Sequence, residues 1–440
     1  MEGNKLVPRK YLFIFCLITT LFALWGFAND ITNPMVAAFQ TLMEISAAKA
    51  SLIQFAFYGG YATMAIPAAL LIRRYSYKTG ILTGLLLYAI GAFMFIPAAT
   101  YQQFSWFCLS LYVLTFGLAF LETSANPFIL SLGPRETATR RLNLAQAFNP
   151  LGSLCGMSVA SMYVLPALIS DRRNAAGEII FSSLPAAQKA AIRVHDLDMI
   201  RNPYVMIGCV VLVLFVAISL VKIPSLGRAE KNVPDARVKD TMKRLVHNKP
   251  YREGVVAQMF YIAAQIMVWT FIIQYADRLG INKADAQNYN IIAMLLFLTG
   301  RFTSTFLMKY VNAHKLLLTF ACLAGFCTVG TILLTDISGL YCLIGISAFM
   351  SLMFPTIYGI SLNTVRPEDT SIGAAFLVMA IVGGAIMPPL QGMIIDLGNV
   401  CGMPAVNFSY VLPLVCFVIV GIYAARSDRM DRAGARQGRV

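Results

Sequence analysis

Runs of about twenty mostly apolar residues recur from one end of this chain to the other. Each is long enough to cross the hydrocarbon core of a bilayer as a helix. Twelve can be counted, near 11–37, 49–72, 79–98, 105–130, 143–168, 203–222, 251–276, 286–308, 315–334, 339–363, 371–395 and 406–425. Lipid offers no hydrogen bonds, so each run must satisfy its own backbone by closing into a helix. Composition agrees with this. The chain is 58% hydrophobic and 13% charged, against about 25% charged in soluble domains. The fold class is therefore an all-α membrane protein with twelve transmembrane helices. The first run follows Lys5, Arg9 and Lys10 but is too long for a signal-peptide core, so it is read as a retained helix.

The net charge of +14 raises the question of nucleic acid, but the Lys and Arg lie in short loops between apolar runs, as cytoplasmic loops of membrane proteins do. Arg73, Arg74 and Lys78 follow the second run, Arg135, Arg140 and Arg141 the fourth, Lys309 and Lys315 the eighth, and Arg366 the tenth. The loops after the third, ninth and eleventh runs carry no Lys or Arg. Both termini are then cytoplasmic, and the long connection from Ile169 to Asn202 is outside. A polar, basic stretch at 223–250 divides the chain into an N-terminal six-helix bundle at 1–222 and a C-terminal one at 251–440, and reads as a plain linker.

The two halves rhyme. Pro134 to Thr137 after the fourth run resembles Pro367 to Thr370 after the tenth. Trp25 and Trp269 occupy corresponding first and seventh runs, and Asn126-Pro127 and Phe354-Pro355 are expected to break corresponding helices. Pseudo-symmetric bundles with matched interruptions are the signature of a transporter built by duplication.

Polar groups inside such runs are costly and mark function by default. Glu122 follows about four turns of apolar helix, and an acid at that depth suits a carrier that loads and releases a proton. Its bland reading is a carboxylate neutralised by an internal Arg. Asp30 lies among Asn29, Thr32 and Asn33 in the first run, and shares a helix face with Asn33. Alternatively the helix ends at Asn33-Pro34 and Asp30 is interfacial. Asn143, Gln146 and Asn149, each three apart, share a face in the fifth run. Amides hydrogen-bond hydroxyls without charge, which suits a neutral sugar; they equally suit interhelical contacts. Gln265, Trp269, Gln274, Asn288, Tyr358 and Asn363 form the comparable set in the second half. Arg301 requires an anionic or carbonyl partner. Gly383-Gly384 and Pro388-Pro389 mark a helix that packs closely and bends.

The nine Cys are spaced as small hydrophobes rather than ligands, and the three His fall in polar loops. No metal, cofactor or catalytic constellation is expected, so the chain is not read as an enzyme.

Several stretches resemble a known family. These are L-E-T-S-A-N-P-F (121–128), R-L-N-L-A-Q-A-F-N (141–149), S-L-I-Q-F-A-F-Y-G-G-Y (51–61), R-R-Y-S-Y-K-T-G-I (73–81), S-A-F-M-S-L-M-F-P-T-I (347–357) and G-R-F-T (300–303). They are similar to the L-fucose–proton symporters of the major facilitator superfamily. The resemblance implies a monomeric bacterial inner-membrane carrier with two six-helix bundles and alternating access to a central sugar site. It makes Glu122 the family's acid in the fourth span, and Gln146 and Asn149 its substrate amides. The family's first-span pattern N-N-x-N-D departs here to N-D-I-T-N, with Asn33 where the family has Asp and the acid one turn earlier at Asp30. Either Asp30 keeps the coupling role from the same face, or Glu122 couples protons alone. A glucose/galactose transporter of the same family is the alternative, and a drug–proton antiporter a more remote one.

Overall fold

Whether a run of apolar residues yields one straight helix depends on what interrupts it, and here the interruptions shape the fold. The structure is a computed structural model describing residues 6–45, 52–170, 172, 180–221, 238–281, 283–400 and 402–437. The first half comprises α1 (Leu12–Leu42), α2 (Leu52–Arg74), α3 (Tyr77–Phe93), α4 (Phe95–Tyr101), α5 (Phe104–Ser131), α6 (Ala138–Gln146), α7 (Phe148–Val159) and α8 (Ala186–Leu220). The second half begins with α9 (Val238–His247), α10 (Lys249–Thr270), α11 (Ile272–Arg278), α12 (Lys283–Leu307) and α13 (Ala313–Leu333). It continues with α14 (Ile337–Met350), α15 (Met353–Asn363), α16 (Thr370–Met379), α17 (Gly383–Ile395), α18 (Ala405–Ser409) and α19 (Val411–Gln437). Between α17 and α18 a two-residue ribbon pairs Asn399–Val400 with Met403–Pro404.

Among the described residues, ten stretches are long and apolar enough to cross a membrane. The expected spans near 143–168 and 251–276 are helical but lie outside that set. The first opens with Arg140, Arg141, Asn143 and Gln146 and is divided at Ala147. The second opens with Lys249, Arg252 and Glu253 and carries Gln258 and Gln265.

Three expectations need correction. Asn126-Pro127 does not break its helix, because α5 continues through Pro127 to Ser131. A proline in a membrane helix removes one bond, and surrounding helices make up for the loss. The break in the tenth span falls at Ser351-Leu352, just before Pro355, which sits in the first turn of α15. Second, α8 starts at Ala186, well before 203, since the Ala-rich segment 186–202 contains no breaker and Pro185 supplies the start. The polar first part of α8 pins the end of α1: Lys189 and Arg193 lie 2.5 and 3.5 Å from Glu44, and Arg193 donates to the Leu42 carbonyl at 3.1 Å. Third, the linker is more than a tether. Residues 222–237 are outside the described set, but 238–247 form helix α9, whose Thr241 and Leu245 are buried. Asp369 accepts from Thr241 Oγ1 at 2.8 Å, from Arg244 Nε at 2.8 Å and from Arg244 Nη2 at 2.5 Å.

The chain packs as two compact units. One contains Met1–Cys16, Asn126–Pro150 and Leu226–Val440; the other contains Leu17–Ala125 and Leu151–Ser225. Segment 126–150 thus packs with the second half of the sequence, although it precedes the linker.

Within the second of these units, a Cβ at Gly152 would strike the Ala23 carbonyl, and one at Gly156 would lie 2.7 Å from that of Phe27. Only glycine lets α7 touch the backbone of α1 there. In the first unit the relation repeats six spans later, where a Cβ at Gly383 of α17 would strike the Met259 carbonyl of α10. The rhyming loops also share a shape. Each is a 3₁₀ turn, Arg135–Thr137 or Pro367–Asp369, entered from an extended residue, Pro134 (φ −56°, ψ 145°) or Arg366 (φ −66°, ψ 148°).

Arg141 closes the end of α5. It is fully buried, yet its guanidinium meets carbonyls rather than an acid: Ile129 at 2.8 Å, Leu130 at 2.5 Å, Leu6 at 3.1 Å and Pro134 at 3.4 Å. Helix C-terminal carbonyls lack intrahelical donors, and this cation supplies them. Burial pulls its pKa down to about 10, so it stays charged.

Candidate functional site

Two buried polar clusters stand out, one in each unit. In the Leu17–Ala125 unit, Asp30 on α1 and Glu122 on α5 are only 5% and 9% exposed. Glu122 takes part in no ion pair among the described residues, and its Oε2 has no hydrogen-bond partner there. The reading of a carboxylate neutralised by an internal Arg is therefore not what the geometry gives. Tyr58 and Tyr61, three apart on one face of α2, lie within electrostatic reach of Asp30 and Glu122 respectively. Tyr88 of α3 donates to the Leu24 carbonyl at 3.3 Å, and Tyr204 of α8 meets Thr32 Oγ1 at 3.0 Å while stacking on Phe95. Trp25 is buried against Phe22, with its indole N–H unpartnered among the described residues. Asn29 is half-buried. Asn33 lies on α1, but its side chain is outside the described residues. Since α1 runs unbroken to Leu42, Asp30 belongs to the helix interior and not to its end.

The amide cluster lies in the other unit. Gln146 Nε2 donates to Asn126 Oδ1 at 3.0 Å. Asn143 Nδ2 donates to the Thr139 carbonyl at 3.0 Å and to Thr356 Oγ1 at 3.1 Å. Arg301, 2% exposed, is open to an anionic or a carbonyl partner and meets carbonyl oxygens. Its Nε donates to the Ser351 carbonyl at 2.5 Å, and its Nη1 to the Gln146 carbonyl at 3.0 Å and to Gln146 Oε1 at 3.3 Å. The Phe297 ring lies 4.7 Å beneath it. Asn126 Nδ2 and Asn143 Oδ1 are buried without partners among the described residues. Each such atom costs about 1–3 kcal/mol, which a bound hydroxyl would recover.

The other expected residues are placed unevenly. Trp269 donates to Ser347 Oγ at 3.2 Å and packs edge-on against Phe297, one turn from Arg301. Tyr358 is fully buried and stacks with Phe354. Gln265 and Asn149 are half-buried. Asn288 is exposed near the start of α12. Asn363 is exposed at the end of α15, where it lines a pocket of about 780 Å³ with Arg135, His314 and Asp431. Gly383 and Gly384 pack closely on α10, as their spacing suggested.

Sequence reasoning passed over Asn126, Tyr58, Tyr61 and Gln258. In the sequence Asn126 reads only as half of a helix-breaking pair, and the tyrosines only as part of a motif. Their polar tips in an apolar run were the available signal. Gln258 is fully buried with neither end of its amide partnered among the described residues.

Residues 11–388 match the family model described as Major Facilitator Superfamily. The chain is 60% identical to the L-fucose-proton symporter of Haemophilus influenzae, over 96% of this chain and 98% of that protein. It is 28% identical to the glucose/galactose transporter of Brucella abortus, over 94% of each. A solved structure of FucP, a Major Facilitator Superfamily transporter in the outward conformation, superposes with a TM-score of 0.86 at 33% identity, covering 95% of this chain and 99% of that one. With twelve apolar runs, matched halves and near-complete coverage, the chain belongs to the L-fucose–proton symporter family of the Major Facilitator Superfamily.

Proposed function

We propose that this protein imports L-fucose together with protons across a bacterial inner membrane. It alternates access between two six-helix bundles at 1–222 and 251–440, acts as a monomer and keeps both termini in the cytoplasm. The observation that carries the reading is Glu122, a carboxyl at membrane depth with no ion-pair partner among the described residues, on the helix that leads into the amide cluster. An acid so placed suits proton exchange, because solvent access decides whether its charged form is tolerable. Asp30 shares the task. Gln146, Asn149, Asn143, Asn29 and Asn33 contact sugar hydroxyls from the first half of the sequence. Gln265, Trp269 and Tyr358 serve the second, the aromatics facing the C–H surface. Asn288 and Asn363, being exposed, are assigned no contact. The choice of L-fucose over glucose or galactose rests on the 60% against 28% identity of the respective relatives.

A neutral sugar cannot be accumulated on its own charge. One proton moving with each sugar draws about 2.3 kcal/mol per 100 mV, roughly fortyfold accumulation at about 1.4 kcal/mol per factor of ten. The test is uptake of labelled L-fucose by proteoliposomes under an imposed gradient. Uptake should rise with external acidity and collapse with a protonophore, and Glu122→Gln should lose accumulation while retaining L-fucose exchange. Uptake indifferent to the protonophore would refute the coupling. Failure of L-fucose to enter, with entry of glucose or galactose, would refute the substrate.

A further inference from the structure

Arg301 sits in a membrane span with no carboxylate partner among the described residues. Of its three acceptors among the described residues, two belong to one residue, Gln146, which lies on the far side of the linker in sequence. The same face of α6 makes further contacts of this kind. Arg140 Nε donates to the Thr305 carbonyl at 3.1 Å, Asn143 donates to Thr356, and Thr139 packs where Gly359 leaves room. Residues 139, 140, 143 and 146 thus form a ladder joining a first-half helix to α12 and α15. If the halves at 1–222 and 251–440 rock as proposed above, this ladder breaks.

We propose that Arg301 is a positioning residue that lets the ladder sense the sugar through Gln146. The inference rests on the reading of Gln146 as a sugar amide. A guanidinium only donates, so it must face the oxygen of the Gln146 amide, and the nitrogen is thereby turned to Asn126. A sugar hydroxyl that takes the Gln146 oxygen withdraws an acceptor from a buried cation. Hydrogen bonds to charged groups are stronger than neutral ones, so this loss weakens the ladder more than the loss of the neutral Asn143–Thr356 rung would. When the helices part, the Ser351 carbonyl and the Phe297 ring remain with Arg301, so the cation is held without locking the ladder. Occupancy of the site and opening on this side are thereby linked.

The experiment follows a thiol on the ladder. Thr305→Cys, at a 5% exposed position, is labelled with a maleimide in membranes, with the parent lacking it as blank. Labelling should be slow without sugar and rise severalfold with L-fucose. With Arg301→Met added, labelling should be fast without sugar and should no longer respond to L-fucose. Arg301→Lys, which keeps the charge but cannot fork between two oxygens, should fall between them and stands in if the Met variant is not recovered from membranes. Slow, sugar-responsive labelling in these variants overturns the proposal. Gln146→Ala separates the underlying reading: unchanged L-fucose affinity there would remove Gln146 from the sugar site, whatever Arg301 does.

Discussion

Replacing Asp369 by Ala should undock the linker helix. Asp369 is 2% exposed and receives both prongs of Arg244 and the Thr241 hydroxyl. Hydrogen bonds to charged groups contribute about 1.5–3 kcal/mol each. Arg244 is 32% exposed, so solvent screens its share, and about 2–3 kcal/mol is expected for the whole clamp. That is a shift of roughly 30- to 150-fold in the docking equilibrium. Hydrogen exchange of the amides in 238–247 should accelerate by that factor, while α10 stays protected. Asp369→Asn, which keeps acceptors but loses charge, should fall between. The hydrogen bond that Arg244 donates to Asp369 holds the guanidinium pKa above its ordinary value. A group raised in the folded state lends its stability below its unfolded pKa and loses it only as pH climbs through the raised one. Arg244 therefore brings no weakening of the clamp on the mildly alkaline side of neutrality. Unchanged exchange in Asp369→Ala would refute the reasoning.

Gly152→Val should abolish transport and lower the yield of folded protein, because its Cβ would enter the Ala23 carbonyl. Gly421→Ala, whose Cβ would meet nothing closer than 3.8 Å, should be tolerated and raise thermal stability by up to about 1 kcal/mol; purification and thermal unfolding compare the two. Asp30→Asn should move the pH dependence of L-fucose uptake, whereas Asn33→Asp should be tolerated. An unaltered pH profile in Asp30→Asn would leave Glu122 as the sole coupling acid. Gln188→Cys, exposed on the polar part of α8, should react with an impermeant thiol reagent in intact cells; labelling only after lysis would invert the topology.

Span positions were legible in the sequence because an apolar run in lipid has one solution, and the decision is local. The same logic explains the misses. Pro127 reads as a breaker when only its own helix is considered, but neighbouring helices sustain α5 across it. The first turns of α8 and the helix α9 are polar, so hydropathy hides them, and Asp369 lies too far along the chain to announce that it holds Arg244. For Arg301 the need for an anionic or carbonyl partner follows from its charge in an apolar run. The identity of that partner, Gln146, is a property of packing between distant segments and carries no local mark.

Arg141 has a consequence for how the chain is made. Four of its acceptors come from the end of the fourth span, the turn behind it and Leu6, so residue 6 waits, during synthesis, for residue 141 to emerge. Until the ribosome has delivered the fourth span and the turn behind it, the leading segment has no anchor of this kind. The clasp then joins Leu6 to a side chain that emerges 135 residues later. A lesion at Arg141 should accordingly show itself first as slow or failed maturation during biogenesis, with degradation of chains stalled between the fourth and fifth spans, rather than as a carrier of altered affinity.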